Sequence, residues 1–265
     1  MSCILFNPLV SEIHGETRHC RDCGELEADH YQPQHAIIES NFMQAPSLYE
    51  PQAYGELIGP AGELARVLSA KVGRMNAIRQ SGSDRNLSAR WVIAGNPGVG
   101  KSELGKMCAL DLAGGERLSI ESKSGLLVTI DVVKSWINAL GMGSLFGNHQ
   151  VKLIHEMDRI PPAAQDLLLD YLDQSKQSTD LAFIGTSNAD TAALQERFET
   201  RLQYWDVAAP TQEQITALIM KWEINPNIAS MIAAGCTGNV RQALLDLESH
   251  LDLQYSNNLI NKLAA

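Results

Sequence analysis

The stretch that decides the fold runs from Trp91 to Leu112 and reads WVIAGNPGVGKSELGKMCALDL. Its first residues, Trp91–Ala94, form an apolar run typical of a buried strand. The next eight, Gly95-Asn-Pro-Gly-Val-Gly-Lys-Ser102, satisfy G-x-x-x-x-G-K-[ST] and are followed by a helix-forming segment. This order of strand, glycine-rich loop and helix predicts a phosphate-binding loop rather than an ordinary turn.

Each residue type in this loop has a chemical reason. Glycines let backbone N–H groups turn toward phosphate oxygens, and the helix directs its positive end at them. We expect the Lys101 ammonium to reach the β- and γ-phosphates of ATP and the Ser102 hydroxyl to ligate Mg²⁺. The candidate nucleotide-binding residues are Gly95, Asn96, Pro97, Gly98, Val99, Gly100, Lys101 and Ser102.

Apolar runs and helix-forming segments alternate on both sides of the loop. Further strands are predicted at Arg117–Ile120, Val151–His155, Leu181–Thr186 and Gln203–Val207. Helices are predicted at Pro60–Gln80, Ile130–Leu140, Ala163–Ser175 and Thr191–Phe198 and, after Pro210, at Gln212–Trp222, Ile228–Gly235 and Val240–His250. The pattern predicts an α/β fold, with a parallel sheet covered by helices on both faces and a small all-α lid domain after it.

Charge, cysteine and histidine are unevenly distributed along the 265 residues. The net charge is −10, but residues 1–50 hold 2 basic and 8 acidic residues and most of the Cys and His. We therefore expect three parts: an acidic Cys/His-rich extension (1–50), an α/β nucleotide-binding domain (51–209) and a helical lid (210–265). The acidic balance excludes a histone-like binder of nucleic acid. The lack of long apolar runs and the few cysteines predict a cytoplasmic protein without a membrane span.

A second candidate site follows the predicted strand Val151–His155. That strand ends in His155-Glu156-Met-Asp158, where a phosphate-binding loop usually has an Asp-Glu partner. Glu156 is placed to orient and polarise the attacking water. His155 stands where a carboxylate would support the Mg²⁺ shell, and a neutral imidazole brings no negative charge. Two interpretations stay open: active hydrolysis with His155 tolerated, or nucleotide binding with weak hydrolysis.

The N-terminal extension holds a candidate metal site. Cys20, Cys23, His30 and His35 give four Zn²⁺ ligands within 16 residues, which would stabilise a segment too short to hold a core. Cys3, His14 and His19 compete as ligands. The alternative is a flexible acidic tail with free thiols. In either case its charge favours a protein partner over DNA.

Three segments of the sequence resemble a known protein family. The loop GNPGVGKS, the segment Thr129-Ile-Asp-Val-Val-Lys134 and the stretch HEMDRIPPAAQDLLLDYLD resemble AAA+ ATPases, and among them the small subunits of clamp loaders of the replication factor C type. The resemblance covers roughly residues 54–250. It implies an ATPase that forms rings or spirals with other AAA+ subunits, with nucleotide at the subunit interfaces. The C-terminal collar of clamp loaders is expected to be missing.

The resemblance also implies roles for single residues. Tyr54 and Ile58 lie in a segment expected near the adenine, and Asn188 matches the polar sensor 1 group near the γ-phosphate. Arg201 matches the arginine finger only in part, with Arg197 as its rival; a surface salt bridge is the alternative for either. Arg241, in Gly238-Asn-Val-Arg241, resembles sensor 2, which would reach from the lid to the γ-phosphate.

Three functions remain at the level of sequence. The first is ATP-driven loading or remodelling of proteins on DNA, as the resemblance implies. The second is an AAA+ remodeller of a protein target without DNA, and the third is a nucleotide-binding structural subunit with weak hydrolysis. A DNA surface is predicted only by a basic strip in residues 60–90, for which a solvated helix face is the alternative. The strip consists of Arg66, Lys71, Arg74, Arg79, Arg85 and Arg90.

Overall fold

Five parallel strands form the sheet of this protein in the computed structural model, which describes residues 45–81, 89–140, 142, 149–175, 181–188, 198 and 200–264. The strands are β1 (Arg90–Gly95), β2 (Ile120–Ser124), β3 (Gln150–His155), β4 (Leu181–Asn188) and β5 (Gln203–Val207). Their spatial order is β2-β3-β4-β1-β5, and every neighbouring pair is parallel. β1, the strand before the glycine-rich loop, therefore lies inside the sheet and not at its edge.

Helices cover both faces of the sheet and make up the C-terminal part. They are α1 (Gly59–Gln80), α2 (Lys101–Leu112), α3 (Ile130–Asn138), α4 (Pro162–Gln174), α5 (Gln212–Ile219), α6 (Pro226–Gly235) and α7 (Val240–Ala264). Short 3-10 turns lie at Pro46–Leu48, Tyr54–Glu56, Arg117–Ser119, Gly125–Leu127, Met157–Arg159 and Met220–Trp222. The predicted α/β class, a parallel sheet with helices on both faces, is confirmed.

Alternate residues of the strands face two separate cores. Trp91 and Ile93 pack with side chains of α1 and α2, whereas Val92 between them packs with side chains of α3 and α4. The same alternation holds in β4, where Ile184 faces the first core and Phe183 the second. Strands buried on both faces carry continuous apolar runs, which is why β1 and β4 are easy to recognise in the sequence.

The helices after Pro210 have a core of their own. Ile215, Ile219, Ala229, Ala243 and Leu247 are buried together, and they come from α5, α6 and α7. α5 begins at a capping box, in which the Gln214 N–H donates to Thr211 Oγ1 and the Thr211 N–H donates to Gln214 Oε1. The domain limits 1–50, 51–209 and 210–265 stay predictions.

The predicted position of β2 is wrong. The strand occupies Ile120–Ser124, and Arg117–Ser119 forms a 3-10 turn in which Leu118 N–H donates to the Glu116 carboxylate at 3.1 Å. The prediction followed the apolar Leu118, which is 81% exposed. As an edge strand, β2 has the polar sequence IESKS and lacks the apolar run used to recognise strands.

One predicted helix is longer in the structure, and another falls almost entirely outside the described residues. α7 continues from Val240 to Ala264, well past the predicted end at His250, because no proline or glycine interrupts it. The predicted helix Thr191–Phe198 falls, except for Phe198, outside the described residues. None of the helices in the described part of the chain combines the length and apolar character needed to span a membrane.

Candidate functional site

The predicted site residues follow strands that end at the same edge of the sheet. Gly95, the last residue of β1, pairs in register with Asn188, the last residue of β4. His155 ends β3, which is the neighbour of β4 on its other side. The parallel sheet thus brings the glycine-rich loop, Glu156 and Asn188 to one edge, where ligands bind in open α/β folds.

Two glycines of the loop combine a positive φ with a close neighbour. Gly98 has a φ of +77°, and a Cβ added to it would lie 1.8 Å from Asn239 Oδ1. Gly95 has a φ of +146°, and a Cβ there would lie 2.4 Å from the carbonyl oxygen of Val207. The Val240 N–H also donates to Gly98 O at 3.1 Å, so the start of α7 rests directly on the loop.

Lys101 is held inside the loop. Its Nζ donates to Gly95 O at 2.8 Å and to Asn96 O at 2.6 Å, and the residue is 7% exposed. Burial lowers the pKa of the Lys101 amine, and the Asp158 carboxylate opposes that shift. Since Gly100 precedes α2 directly, Lys101 and Ser102 lie in the first turn of a helix whose free N–H groups favour an anion.

A cleft opens beside the loop between the α/β part and the C-terminal helices. Its polar lining residues include Lys101, Ser102 and Arg241, and its apolar lining residues include Ile58 and Leu218. The complete lining is Tyr49, Glu50, Pro51, Glu56, Leu57, Ile58, Gly98, Val99, Gly100, Lys101, Ser102, Glu103, Leu218, Val240, Arg241 and Leu244.

Ile58 lines the cleft but Tyr54 does not, although both residues were predicted to lie near the adenine. The Tyr54 hydroxyl donates to the Asp111 carboxylate at 2.9 Å, near the end of α2 that is distant from the loop. The lining aromatic is Tyr49, which packs edge-to-face on Trp222 with ring centroids 5.6 Å apart. Its hydroxyl is buried and has no hydrogen-bond partner among the described residues.

Glu156 has an unusual backbone conformation at the end of β3. Its φ of 53° and ψ of 55° place it in the left-handed region, which costs a residue with a side chain about 1–3 kcal/mol. Such conformations persist where neighbouring structure imposes them, and they cluster at active sites. The Glu156 carboxylate accepts a hydrogen bond from Arg159 Nη1 at 2.8 Å, and both side chains are about half exposed.

His155 is bonded within the sheet edge. Its Nε2 lies 3.2 Å from Ser122 Oγ on the neighbouring strand β2. Burial lowers the pKa of the His155 imidazole, as does the Lys106 charge, whereas Glu103 and Glu156 oppose the shift. The ring is therefore neutral at pH 7 and supplies no charge to a metal ion.

Asp158 connects β3 with the end of β4. Its Oδ1 accepts hydrogen bonds from Ser187 Oγ and from the Asn188 backbone N–H, each at 3.1 Å. Asp158 also contributes to the field at Lys101. Its carboxylate thus fixes the strand end that carries Asn188, the predicted sensor.

The two predicted arginines lie in different settings. Arg201 donates from Nε (2.9 Å) and Nη2 (2.7 Å) to Asp173 Oδ2 on α4, and its side chain is 23% exposed. Arg241, in the first turn of α7, is exposed and lines the cleft, where its charge acts on Lys101. The structure brings Arg241 to the loop, whereas Arg201 is engaged with α4. Arg197 is outside the described residues.

The predicted zinc site and part of the basic strip lie outside the described residues. Cys20, Cys23, His30 and His35 are outside the described residues, and the described part of the chain contains no cluster of three metal-ligating side chains. In the basic strip, Arg66 and Arg74 are exposed. Arg90, by contrast, donates to Leu172 O at 2.6 Å and to Ser175 Oγ at 3.2 Å and is therefore structural.

Several site residues escaped the sequence analysis. Thr186 and Arg159 contact Glu156, and Asp173 binds Arg201. Arg159 and Asp173 lie in the stretch HEMDRIPPAAQDLLLDYLD, but these pairings are not visible in one sequence. Leu218 and Leu244 line the cleft from helices whose apolar spacing resembles that of core residues. Tyr49 has only a weak local signal in the sequence, an aromatic residue just before the predicted domain 51–209.

No protein-family model and no curated protein matches this sequence. Solved structures do match. One single-residue variant of Thermotoga maritima RuvB has a TM-score of 0.60 at 19% identity, over 79% of this chain and 67% of that chain. A second single-residue variant gives a TM-score of 0.62 at 18% identity over the same shares. The structure described as the T. maritima RuvB Holliday junction branch migration motor gives 0.59 at 18% identity, again over 79% and 67%.

The chain has the AAA+ P-loop fold. At these identities the comparison concerns the fold alone. Within this fold, the loop Gly95–Ser102 and the first turn of α7 line the cleft. The strand end at Glu156 lies at the same edge of the sheet as the loop. The finer resemblance to clamp-loader subunits stays a prediction, since these matching structures are RuvB.

Proposed function

We propose that this chain binds ATP with Mg²⁺ and hydrolyses it as a subunit of an AAA+ oligomer that acts on DNA. The observation that carries the proposal is the loop around Lys101, which opens on a cleft that Arg241 also lines. Two helix N-termini, those of α2 and α7, meet at this loop. An anion is the ligand class that such an arrangement favours.

The lining of the cleft offers charged groups for the phosphates of a nucleotide and apolar side chains for its base. Lys101, Arg241 and the N–H groups after Gly98 would hold the phosphates, for which Lys101 would exchange its bonds to Gly95 O and Asn96 O. Ile58, Leu218 and Tyr49 would contact the base.

Mg²⁺ bound with ATP would neutralise charge on the phosphates, and the Ser102 hydroxyl is the ligand that this chain would supply. The described residues provide no carboxylate cluster for the ion. Its remaining ligands would be phosphate oxygens and water, as is common for Mg²⁺.

Hydrolysis needs a water in line with the γ-phosphorus. The water oxygen forms a bond to that phosphorus, the bond to the β–γ bridging oxygen breaks, and Glu156 receives the water proton. Asn188, at the adjacent strand end, would hold the water through its amide. Asp158 would keep Asn188 in place through the backbone bond.

Nucleotide binding is tested with the variant Lys101→Ala. Because Lys101 would make charged hydrogen bonds to phosphate, its loss should weaken binding of a fluorescent ATP analogue by about 10- to 100-fold. Lys134→Ala, which removes an exposed lysine on α3, should bind as the wild type does. Equal affinities for the Lys101→Ala variant and the wild type would contradict the proposal.

Action on DNA is supported by the fold shared with RuvB, by the clamp-loader resemblance and by the exposed Arg66 and Arg74. ATP turnover should rise when primed or branched duplex DNA is added at low salt, where phosphate contacts are strongest. No stimulation by either DNA would instead favour the remodelling of a protein target. Sedimentation with and without ATP would test the proposed oligomer.

A second candidate function is that of a nucleotide-binding subunit with weak hydrolysis. The observation that favours it is His155, a neutral ring where a carboxylate would support Mg²⁺. Glu156→Gln separates the two, because it removes the base without changing the size of the side chain. Wild-type turnover no faster than that of Glu156→Gln, with ATP still bound, would establish the structural role.

The zinc site at Cys20, Cys23, His30 and His35 remains part of the proposal. Structural zinc is bound tightly, so metal analysis of the purified full chain should find one ion per molecule. Less than about half an ion per molecule would contradict the site. A protein partner for the acidic extension would be sought only after this result.

A further inference from the structure

His155 lies on the face of the sheet that α2 covers. Side chains alternate along β3, so Leu153 packs in the core that contains α2 residues, and Ile154 packs in the opposite core. His155 therefore continues the side of Leu153. The charges of Glu103 and Lys106, both on α2, act on the His155 ring, which agrees with this placement.

The first turn of α2 and the end of β3 lie at nearly the same height of the sheet. Gly105 of α2 contacts β3, since a Cβ added there would lie 3.4 Å from Leu153 Cδ1. Ser102 is three helical residues nearer the glycine-rich loop than Gly105, a rise of about 4.5 Å. His155 is two strand residues nearer the same edge than Leu153, a rise of about 6.6 Å. The Ser102 hydroxyl, which lines the cleft, and the His155 ring thus belong to one level at the phosphate end.

A hydroxyl on the neighbouring strand orients the His155 ring. Ser122 Oγ on β2 lies 3.2 Å from His155 Nε2, and the ring makes no other hydrogen bond within the described part of the chain. With the proton on Nε2, this nitrogen donates to Ser122 Oγ, and the lone pair of Nδ1 is left for a further partner. Histidines that bind metal ions are usually held in this way, with one ring nitrogen on a neighbouring acceptor and the other on the ion.

The carboxylates near this level are already bonded within the protein. Glu103 pairs with Lys106 at 3.0 Å, and Glu156 pairs with Arg159 at 2.8 Å. Asp158 accepts two hydrogen bonds from the end of β4, each at 3.1 Å. An ion that used one of these carboxylates would have to compete with such bonds, whereas His155 Nδ1 requires no such exchange.

We propose that the ion bound with the nucleotide is a first-row transition cation such as Mn²⁺ in preference to Mg²⁺, with His155 Nδ1 and Ser102 Oγ as its protein ligands. This inference rests on the proposed binding of ATP. Mg²⁺ selects oxygen ligands and gives up its water molecules reluctantly. Transition cations bind imidazole nitrogen more readily, so a histidine at position 155 shifts the preference of the site toward them.

Pulsed EPR of the full chain with Mn²⁺ and a non-hydrolysable ATP analogue tests the ligand directly. We expect a ¹⁴N coupling that is replaced by a ¹⁵N coupling when the histidines are ¹⁵N-labelled, because the nitrogens of the analogue stay unlabelled. The coupling should be lost in His155→Gln. Only the signal that depends on the analogue is compared, which removes any ion bound at the predicted zinc site. A bound ion without histidine coupling in the wild type would overturn the assignment of His155.

The preference is measured as the ratio of the Mg²⁺ to the Mn²⁺ dissociation constant of the complex between protein and analogue. His155→Asp should lower this ratio about tenfold or more, and Ser122→Ala, which keeps the ring but removes its orienting partner, should lower it less. Ser249→Ala is the control, because this exposed serine bonds only to Leu245 O of its own helix, and its ratio should equal that of the wild type. Equal ratios in the wild type and a folded His155→Asp would overturn the preference.

Failure of this inference can be distinguished from failure of the proposed function. If the analogue binds with either ion, the ratio does not depend on residue 155 and no histidine coupling appears, the ion preference alone is wrong. If the analogue binds with neither ion, the proposed binding of ATP is wrong, and the ion preference is wrong with it.

Discussion

The Asp158 carboxylate accepts the backbone N–H of Asn188 at 3.1 Å, across the gap between the ends of β3 and β4. The same oxygen accepts from Ser187 Oγ. One side chain thereby joins the strand end that carries the proposed base, Glu156, to the strand end that carries the proposed sensor.

Asp158→Ala should therefore lower kcat more than it changes KM, because the Asn188 amide loses its support while the cleft stays intact. Hydrogen bonds to a charged group are worth about 1.5–3 kcal/mol, so a loss of roughly tenfold or more in kcat is expected. Asp158→Asn keeps one acceptor oxygen and should lose less. Steady-state kinetics measure both, with Glu63→Gln on the exposed face of α1 as a control; equal kcat in all three variants would contradict the linkage.

Gly98→Ala should abolish tight nucleotide binding. The added Cβ would collide with Asn239 Oδ1 at 1.8 Å in a backbone conformation, φ +77°, that alanine disfavours. Together these effects should cost at least about 1–3 kcal/mol of stability at the contact between loop and α7. Thermal unfolding and titration with a fluorescent ATP analogue measure the two losses.

Gly73→Ala is the matched control, because nothing lies within 4 Å of a Cβ there and Gly73 is inside α1. It should stabilise the protein by about 0.5–1 kcal/mol through helix propensity. If Gly98→Ala behaved like Gly73→Ala, the close contact with Asn239 would have no energetic meaning.

The pair Arg201–Asp173 separates a structural arginine from one that acts on a neighbouring subunit. If Arg201 only ties its turn to α4, Arg201→Ala and Asp173→Ala should lower Tm equally and change turnover equally. If Arg201 is the arginine finger, Arg201→Ala should lower turnover far more, since Asp173→Ala releases an arginine that can still act.

Mixing the variants provides a further check on the finger. Arg201→Ala subunits and Glu156→Gln subunits would each be inactive alone. A finger acting in trans predicts that their mixture recovers turnover, because some interfaces combine an intact finger with an intact base. An inactive mixture of proteins that still oligomerise would speak for the structural role.

His155→Asp should strengthen the use of Mg²⁺. A carboxylate in place of the neutral ring adds an oxygen ligand and a negative charge near the expected ion. The Mg²⁺ concentration needed for half-maximal turnover should fall, and kcat should rise if the ring limits hydrolysis. His155→Gln, which adds no charge, serves as the control; an unchanged Mg²⁺ requirement in His155→Asp would show that position 155 does not face the ion.

Stability should depend on pH through His155. Burial and the Lys106 charge lower the pKa of the folded imidazole, so the unfolded chain, with a pKa of about 6.5, binds the proton more readily. The stabilising contribution is complete above that value and is lost as the pH falls toward and through the folded pKa. Denaturant unfolding at pH 7 and pH 5 should show a smaller loss for His155→Gln than for wild type; an equal loss would contradict the assignment.

Much of the fold was predictable because local patterns of apolar residues indicate its strands and helices. Strands buried on both faces, such as β1 and β4, need continuous apolar residues, and an amphipathic helix needs apolar residues three or four positions apart. The position of β2 was predicted wrongly because this edge strand, with the sequence IESKS, has no continuous apolar run. The site was predictable where a motif concentrates the chemistry in a few adjacent residues, as in Gly95–Ser102.

The sequence by itself determined the AAA+ type of fold, the glycine-rich loop between β1 and α2 and the candidate residues Glu156, Asn188 and Arg241. Only the tertiary structure decided which residues meet: that Asp158 holds Asn188, that Arg159 holds Glu156, that Asp173 holds Arg201, and that Tyr49 and not Tyr54 lines the cleft. The physical reason is the distance along the chain over which each effect acts. Backbone preferences and hydrophobic periodicity act within a few residues, whereas these contacts depend on side-chain direction at element ends and on strand order, which no local pattern encodes.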